Sequence, residues 1–284
     1  MLICHKIAEL RAAVSGFRLA GETVGLVTTM GALHAGHMAL IAAAKADHPR
    51  VIATIFVNPT QFGNPKDLAA YPRSEKSDLA MLRDAGCDAV LIPQAAEIYP
   101  DGDETIVETT RLSGLFHGAV RPGHYRGVAT VVAKLFNIAG ADTAYFGQKD
   151  YQQLAVIRAM VRDLHMPIGI TGVPTMREAD GLAMSSRNIR LTPADRLAAV
   201  VLNTALTEAE AMATTATAAQ IAAHIRSRIS TEPRARFKAV DIVDPISFGE
   251  ISGADWTHIG IMISAEFGPP DNPVLLIDQR EVRK

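Results

Sequence analysis

His34 and His37 stand three residues apart, beside Gly31 and Gly36, in the run Val27-Thr28-Thr29-Met30-Gly31-Ala32-Leu33-His34-Ala35-Gly36-His37-Met38-Ala39-Leu40. At that spacing two imidazoles face the same side of a helix's first turn. They can hydrogen-bond phosphate oxygens and stabilise charge growing on a leaving group. The alternative is a pair of structural histidines or metal ligands, although zinc needs further donors that this run does not supply. The run opens as an apolar strand, Thr23 to Thr28, breaks at Gly31 and enters an apolar-periodic helix at Met38. A strand feeding a helix through a glycine turn aims backbone N–H groups at one point, a seat for phosphate.

Three further groups could join that chemistry. Gly147-Gln148-Lys149-Asp150 sets a lysine between a strand end and a helix start. It reads either as a solvated turn or as a phosphate clamp. Met184-Ser185-Ser186-Arg187 offers two hydroxyls and a guanidinium in a loop flanked by Gly181. It reads as a helix cap or domain connector, or as a lid closing on a triphosphate. Gln61 and Gln153 are neutral, and either alone is an ordinary surface residue. Near a carboxylate that must act as a nucleophile, however, a neutral amide orients the anion without quenching it as arginine would. The loop holding Arg121, His124, Tyr125 and Arg126 suits an anion clamp, a charged surface or a subunit contact equally.

The elements that must position these groups alternate. A helix is predicted over residues 7–18. A β-branched strand, Val51 to Val57, ends at Asn58-Pro59 and continues into Thr60-Gln61-Phe62-Gly63-Asn64-Pro65. Helical periodicity runs from Ser74 to Ala85, and a strand follows at Ala89 to Ile92. Further strands are predicted at Thr105–Thr110, Asp142–Phe146 and Ile168–Val173, and further helices at Gly127–Ala139 and Gln152–Leu164. Alternation at this spacing predicts βαβ units and a Rossmann-like, doubly wound parallel α/β sheet. Ligands of such sheets collect at the carboxyl ends of strands, and each candidate loop up to Pro174–Arg177 lies at such an end.

After residue 175 the character changes. Thr192-Pro193 reads as a capped helix start, and Ala-rich helices are predicted from there to Leu206 or beyond and from Ala218 to Ile229. Strands follow at Phe237–Val243, His258–Phe267 and Val274–Asp278. These make a smaller α+β domain, so the expected division is 1–175 and 176–284. There is no internal repeat.

With 28 basic and 30 acidic residues, a net charge of −2 and no basic stripe, the chain lacks the footprint of a nucleic-acid binder. Two cysteines, Cys4 and Cys87, cannot form a disulfide framework and fit a reducing cytoplasm. Charge interrupts Met1–Lys6 before a signal core forms, and no stretch reaches the ~18–20 apolar residues of a membrane span. A soluble, cytoplasmic protein is expected.

Five blocks, in order, resemble the pantoate–β-alanine ligase family, within the His-x-Gly-His nucleotidyltransferases. They are Thr29 to His37, Val57-Asn58-Pro59-x-Gln61-Phe62, Arg121 to Tyr125, Phe146 to Gln153, and Arg177 to Asn188. Two departures stand at the first block, Thr28 immediately before it in place of the usual proline and Ala35 within it in place of glutamate. The resemblance implies an ATP-dependent ligase acting in two halves, with ATP as its Mg2+ complex and no prosthetic group. The carboxylate of (R)-pantoate attacks the α-phosphorus, giving pantoyl adenylate and pyrophosphate; the amine of β-alanine then gives pantothenate and AMP. It also implies an ATP site of Met30, Gly31, Ala32, Leu33, His34, Ala35, Gly36, His37, Gly147, Gln148, Lys149, Asp150, Met176, Met184, Ser185, Ser186 and Arg187. His37 would be proton donor with His34 and Lys149 on the phosphates; Gln61 would bind pantoate and lie near β-alanine, and Gln153 would hold pantoate. Pyrophosphate is a good leaving group, so electrostatic stabilisation by His37 stays open beside proton donation. A homodimer without nucleic-acid or membrane partners is implied, and the Mg2+ ligands stay unassigned. Rival readings are another nucleotidyltransferase of this superfamily, or an adenine-nucleotide sensor, which would have no use for Gln61 and Gln153.

Overall fold

Six short strands, all parallel, form the larger sheet in the order β1-β4-β3-β2-β5-β6. The computed structural model describes residues 1–63, 68–69 and 71–284; Asn64-Pro65 of the loop above lie outside them. The strands are β1 Leu2–Cys4, β2 Val24–Thr29, β3 Arg50–Ile55, β4 Ala89–Leu91, β5 Thr143–Gly147 and β6 Gly169–Val173. Helices α1 Ile7–Leu19, α2 Ala35–Asp47, α3 Glu75–Asp84, α4 Ala95–Ile98, α5 His117–Val120, α6 His124–Ala139 and α7 Tyr151–Asp163 connect them. Strand β2 pairs with β3 on one side and β5 on the other. The winding therefore reverses between β2 and β5, and the crevice outside their carboxyl ends is where such sheets take ligands.

The continuous apolar runs have the reason expected of a covered parallel sheet. Val27, Val51, Ala53 and Val90 are fully buried, packed with Ile41 and Ala44 of α2 and Leu82 of α3. Each such aliphatic side chain contributes about 1.5–3 kcal/mol when removed from water. Helix α6 is buried along most of its length and is bounded by left-handed glycines, Gly123 at φ 81° and Gly140 at φ 53°.

The chain divides into two compact units, Met1–Gly147 with Gln152–Pro174, and Gln148–Tyr151 with Thr175–Lys284. In the second, helices α8 Pro193–Ala198, α9 Val201–Ala211 and α10 Ala218–Ser230 accompany an antiparallel sheet. Its strands are β7 Arg236–Val243, β8 His258–Phe267 and β9 Val274–Arg283. Ile221, Ile225 and Ile229, four apart on α10, are fully buried with Ile261 and Phe267 of β8.

Five expectations need correction. Thr105–Thr110 is not a strand: Val107 N–H donates to Thr130 Oγ1 at 3.0 Å, and that hydroxyl donates back to Val107 O at 3.2 Å. One side chain of α6 thus takes the backbone bonds that a ladder would have used. The loop at residues 116–126 contains the helical turn α5 and the first turns of α6. The helix expected from Pro193 to Leu206 tightens at Ala199–Val200, where i→i+3 bonds such as Leu202 N–H to Ala199 O separate α8 from α9. Strand β1 was absent from the expected set, and β9 continues past Asp278 to Arg283.

Candidate active site

The loops after β2, β3, β5 and β6 leave one edge of the sheet, because these strands run parallel. At the first of them, Thr29 Oγ1 donates to Thr54 O on β3 at 2.8 Å and accepts Gly31 N–H at 3.2 Å. Thr28 stays in the ladder opposite Thr54, so the strand end is intact without proline. The turn then passes through two left-handed residues, Gly31 at φ 80° and Ala32 at φ 50°. For alanine that conformation costs about 1–3 kcal/mol and needs an external hold. Asp78 of α3, 1% exposed, supplies it. Its two oxygens accept Ala32 N–H and Leu33 N–H, both at 2.9 Å, and Oδ1 also accepts Ser74 Oγ–H at 2.9 Å. A Cβ on Gly31 would stand 3.1 Å from Asp78 Oδ2. Nothing in the sequence around Asp78 marks it for this role.

His34 is the N-cap of α2, with Nδ1 accepting Gly36 N–H at 3.1 Å. His34 N–H in turn donates to His37 Nδ1 at 3.3 Å, and the two rings lie 4.2 Å apart at 52°. A capping box built from two imidazoles has a consequence for tautomers. An Nδ1 that accepts a backbone N–H carries no proton, so the neutral ring holds its proton on Nε2. Both histidines therefore carry Nε2–H donors at the positive end of a helix of 13 residues. Ala35 is exposed in the first turn of the same helix.

Gln61 is positioned with equal definition. It ends a short 3-10 turn, Pro59–Gln61, capped by Asn58. Asn58 Oδ1 accepts Thr60 N–H at 3.3 Å and the Tyr99 hydroxyl at 2.8 Å, while Nδ2 donates to Gly127 O at 3.1 Å. Burial raises the Tyr99 phenol above its ordinary pKa and keeps it a donor. Those backbone partners fix which end of the Asn58 amide is which, so Nδ2 must face the Gln61 carbonyl, Oε1, at 3.1 Å. The Gln61 amide is thereby held with Nε2 as its outward donor, 3.2 Å from Met30 Sδ. Gly127 lets α6 approach: a Cβ there would meet Thr60 O at 2.6 Å. Asn58, Tyr99 and Gly127 thus position Gln61, and of the three only Asn58, before Pro59, carries a local signal in the sequence. A cleft of about 910 Å3 opens beside Gln61, lined also by Tyr99, Asp101, His124 and Arg126. Neither histidine of the first turn lines it.

Gln153, in the first turn of α7, is half-buried, and its amide makes no hydrogen bond among the described residues. Its neighbour Gln152 is committed to structure, donating to Leu112 O and Leu115 O and accepting from His117 N–H. In the loop read as an anion clamp, a charged surface or a subunit contact, His124 Nδ1 meets Gln61 O at 2.9 Å and Tyr125 OH meets Gln152 Oε1 at 3.3 Å. Both serve the scaffold. Cys4 and Cys87 are buried, and burial pushes the Cys87 thiol up to about 11.

In the second unit, Lys149 is largely buried, with Nζ 3.6 Å from the more exposed Asp150 carboxylate. The hairpin carrying Met176 and Met184 closes through Met184 N–H to Met176 O at 2.9 Å. It is pinned by a bidentate pair between Arg177 and buried Asp278, at 2.7 and 2.9 Å. Ser185 caps the 3-10 turn Ser186–Arg190 by accepting Arg187 N–H at 3.2 Å, so the capping reading of that hydroxyl holds. The Arg187 guanidinium is in a half-buried residue and makes no ion pair among the described residues. Among the described residues no group of three or more His, Cys, Asp or Glu forms a metal cluster, and no helix is long and apolar enough to cross a membrane.

A parallel sheet with its switch point beside a histidine-capped helix N-terminus defines a class, the Rossmann-like nucleotide-binding proteins of the His-x-Gly-His type. Comparison with known proteins narrows it. The family model described as pantoate-beta-alanine ligase matches residues 2–281. The pantothenate synthetase of Agrobacterium fabrum is 45% identical over 270 residues, 94% of this chain and 92% of that one. The crystal structure of pantothenate synthetase from Thermus thermophilus superposes with a TM-score of 0.92 at 42% identity, covering both chains fully. That of pantoate-beta-alanine ligase from Francisella tularensis, complexed with beta-gamma ATP and β-alanine, gives 0.80 at 31% identity, with 99% of this chain and 97% of that one covered. The chain belongs to the pantoate–β-alanine ligase family.

Proposed function

We propose that the chain condenses (R)-pantoate with β-alanine at the expense of ATP, through a pantoyl-adenylate intermediate. The observation that carries this is the Gln61 amide, locked with its N–H2 outward beside Met30 in a chain matched to the ligase family from residue 2 to 281. One Gln61 N–H orients the pantoate carboxylate while leaving it nucleophilic, and Gln153 holds the rest of the acid. The carboxylate oxygen bonds to the α-phosphorus as the bond to the bridging oxygen breaks, releasing pyrophosphate. The Nε2–H groups of His34 and His37, at the positive end of α2, stabilise the charge growing on that pyrophosphate. His37 serves as the proton donor where a proton is taken up.

The amine of β-alanine then attacks the activated acyl carbon, and AMP departs with the former carboxylate oxygen. Residues Met30 to His37 contact ATP. Gly147 to Asp150, Met176 and Met184 to Arg187 supply the other contacts, with Lys149 and Arg187 on phosphate and Asp150 on ribose. Mg2+ arrives as part of the substrate, held mainly by phosphate oxygens and water. Residues 1–175 bind ATP and pantoate and 176–284 act as the lid domain, in a cytoplasmic homodimer. The test is to supply ATP-Mg, pantoate and β-alanine and follow AMP and pyrophosphate. Equal release of both, dependent on both acids, is expected; no β-alanine-dependent AMP from folded protein refutes the assignment.

A further inference from the structure

Lys149 lies in a segment of four residues, Gln148–Tyr151, that groups with the second unit although its neighbours on both sides belong to the first. Tyr151, two residues beyond the lysine, is the buried member of that segment. Three features of the second unit converge on its ring. Gly260 of β8 has no side chain, and a Cβ there would lie 2.6 Å from Tyr151 Cε1, 2.7 Å from its oxygen and 2.8 Å from Cζ. Glu281 of β9, the register partner of Gly260, accepts the Tyr151 hydroxyl on Oε1 at 2.8 Å. Its other oxygen meets His258 Nε2 at 3.0 Å, which fixes the carboxylate. Phe248, held at φ 55° by its N–H bond to Asp244 O at 2.9 Å, sets its ring 5.8 Å from that of Tyr151. A glycine, a cross-strand carboxylate and a strained aromatic are each unusual, and all three fit one tyrosine.

We propose that Tyr151, seated on Gly260 and bonded to Glu281, is a positioning residue for Lys149 in adenylate formation. The proposal rests on Lys149 contacting the ATP phosphates. Two residues span at most about 7 Å of chain, so a displacement of Tyr151 passes to the lysine with little slack. The seat accounts for a glycine in the middle of a strand, where its lack of a side chain otherwise weakens the sheet.

The test is a mutant cycle read by single-turnover pyrophosphate release from ATP-Mg and pantoate, with melting curves to verify folding. Gly260→Ala and Tyr151→Phe are each made alone and combined with Lys149→Ala. Gly260→Ala is expected to slow release about 10- to 100-fold, the effect of a misplacement of about 1 Å, with the pantoate KM changed less than about twofold. In the Lys149→Ala background neither change slows the reaction further, because the group it positions is gone. Multiplicative losses, or a folded Gly260→Ala enzyme with the parental rate, overturn the proposal. If Gly260→Ala does not fold, Tyr151→Phe, which removes only the hydroxyl, carries the same comparison. A Lys149→Ala enzyme with the parental rate instead overturns the role of the lysine itself and the proposal with it.

Discussion

Asp78→Asn attacks the histidine turn from a helix that takes no part in the chemistry. The carboxylate presents two oxygens to two backbone N–H groups, Ala32 and Leu33, each at 2.9 Å. Asparagine presents one oxygen and one N–H2, so one backbone N–H faces another donor. Losing a hydrogen bond to a charged group costs about 1.5–3 kcal/mol, and stranding a buried N–H a further ~1–3 kcal/mol. Relaxing Ala32 out of its left-handed conformation returns about 1–3 kcal/mol. The net cost is about 1.5–3 kcal/mol, and the route that recovers strain is a rearranged turn rather than an unfolded chain. His34, which follows directly, then loses its register with His37. Single-turnover pyrophosphate release should fall about 10- to 100-fold, as expected for a misplacement of about 1 Å. Pantoate affinity, which the proposal assigns to Gln61 and Gln153, should change little. A folded Asp78→Asn enzyme that forms adenylate at the parental rate refutes the claim that this carboxylate holds the histidines in place.

Three other outcomes follow from the same geometry. Asn58→Asp sets a carboxylate against the Gln61 carbonyl and forces its amide to turn, so the pantoate KM should rise about tenfold or more with the ATP KM little changed; steady-state kinetics with pantoate varied checks this. Gln153→Ala removes a half-buried amide with no hydrogen bond to a described residue, so the pantoate KM should rise while the melting temperature stays put; an unchanged KM removes it from the site. Burial, with Glu250 nearby, raises the Asp241 carboxyl to about 6. A raised acid pKa stabilises the fold below its unfolded value near 3.8, and that contribution is lost as pH rises through about 6. Asp241→Asn should therefore match the parent at about pH 4 and gain up to ~2 kcal/mol at pH 8, solvent screening discounted; melting curves at both pH values decide it.

What could be read from the chain alone depended on how local the physics was. Strands β2 and β3 announce themselves through β-branched runs, because a strand covered on both faces has no polar alternation to hide behind. The His34–His37 turn and the Thr192-Pro193 cap are likewise local patterns, set within a few residues. Asp78 was invisible because its partners are far away in sequence and its own neighbours, Ser77 and Leu79, are those of any amphipathic helix. Asn58 stands in a recognisable motif, but its control over Gln61 depends on Gly127, which only the approach of α6 brings near. Thr105–Thr110 had the composition of a strand and lost its ladder to a single hydroxyl, Thr130. Tyr151 stands in the turn just ahead of the expected helix with nothing local to mark it, since the glycine that seats it lies on β8.

The central claim, that pantoate is activated by attack of its own carboxylate on the α-phosphorus, makes a direct isotopic prediction. Pantoate carrying 18O in both carboxylate oxygens, incubated with ATP-Mg, β-alanine and enzyme, should deliver one labelled oxygen to each AMP. The other remains in the amide carbonyl of pantothenate, and pyrophosphate stays unlabelled. Mass spectrometry of the three products reads all of this at once. AMP without label, or label in pyrophosphate, contradicts the adenylate and with it the roles given to His34, His37 and Gln61.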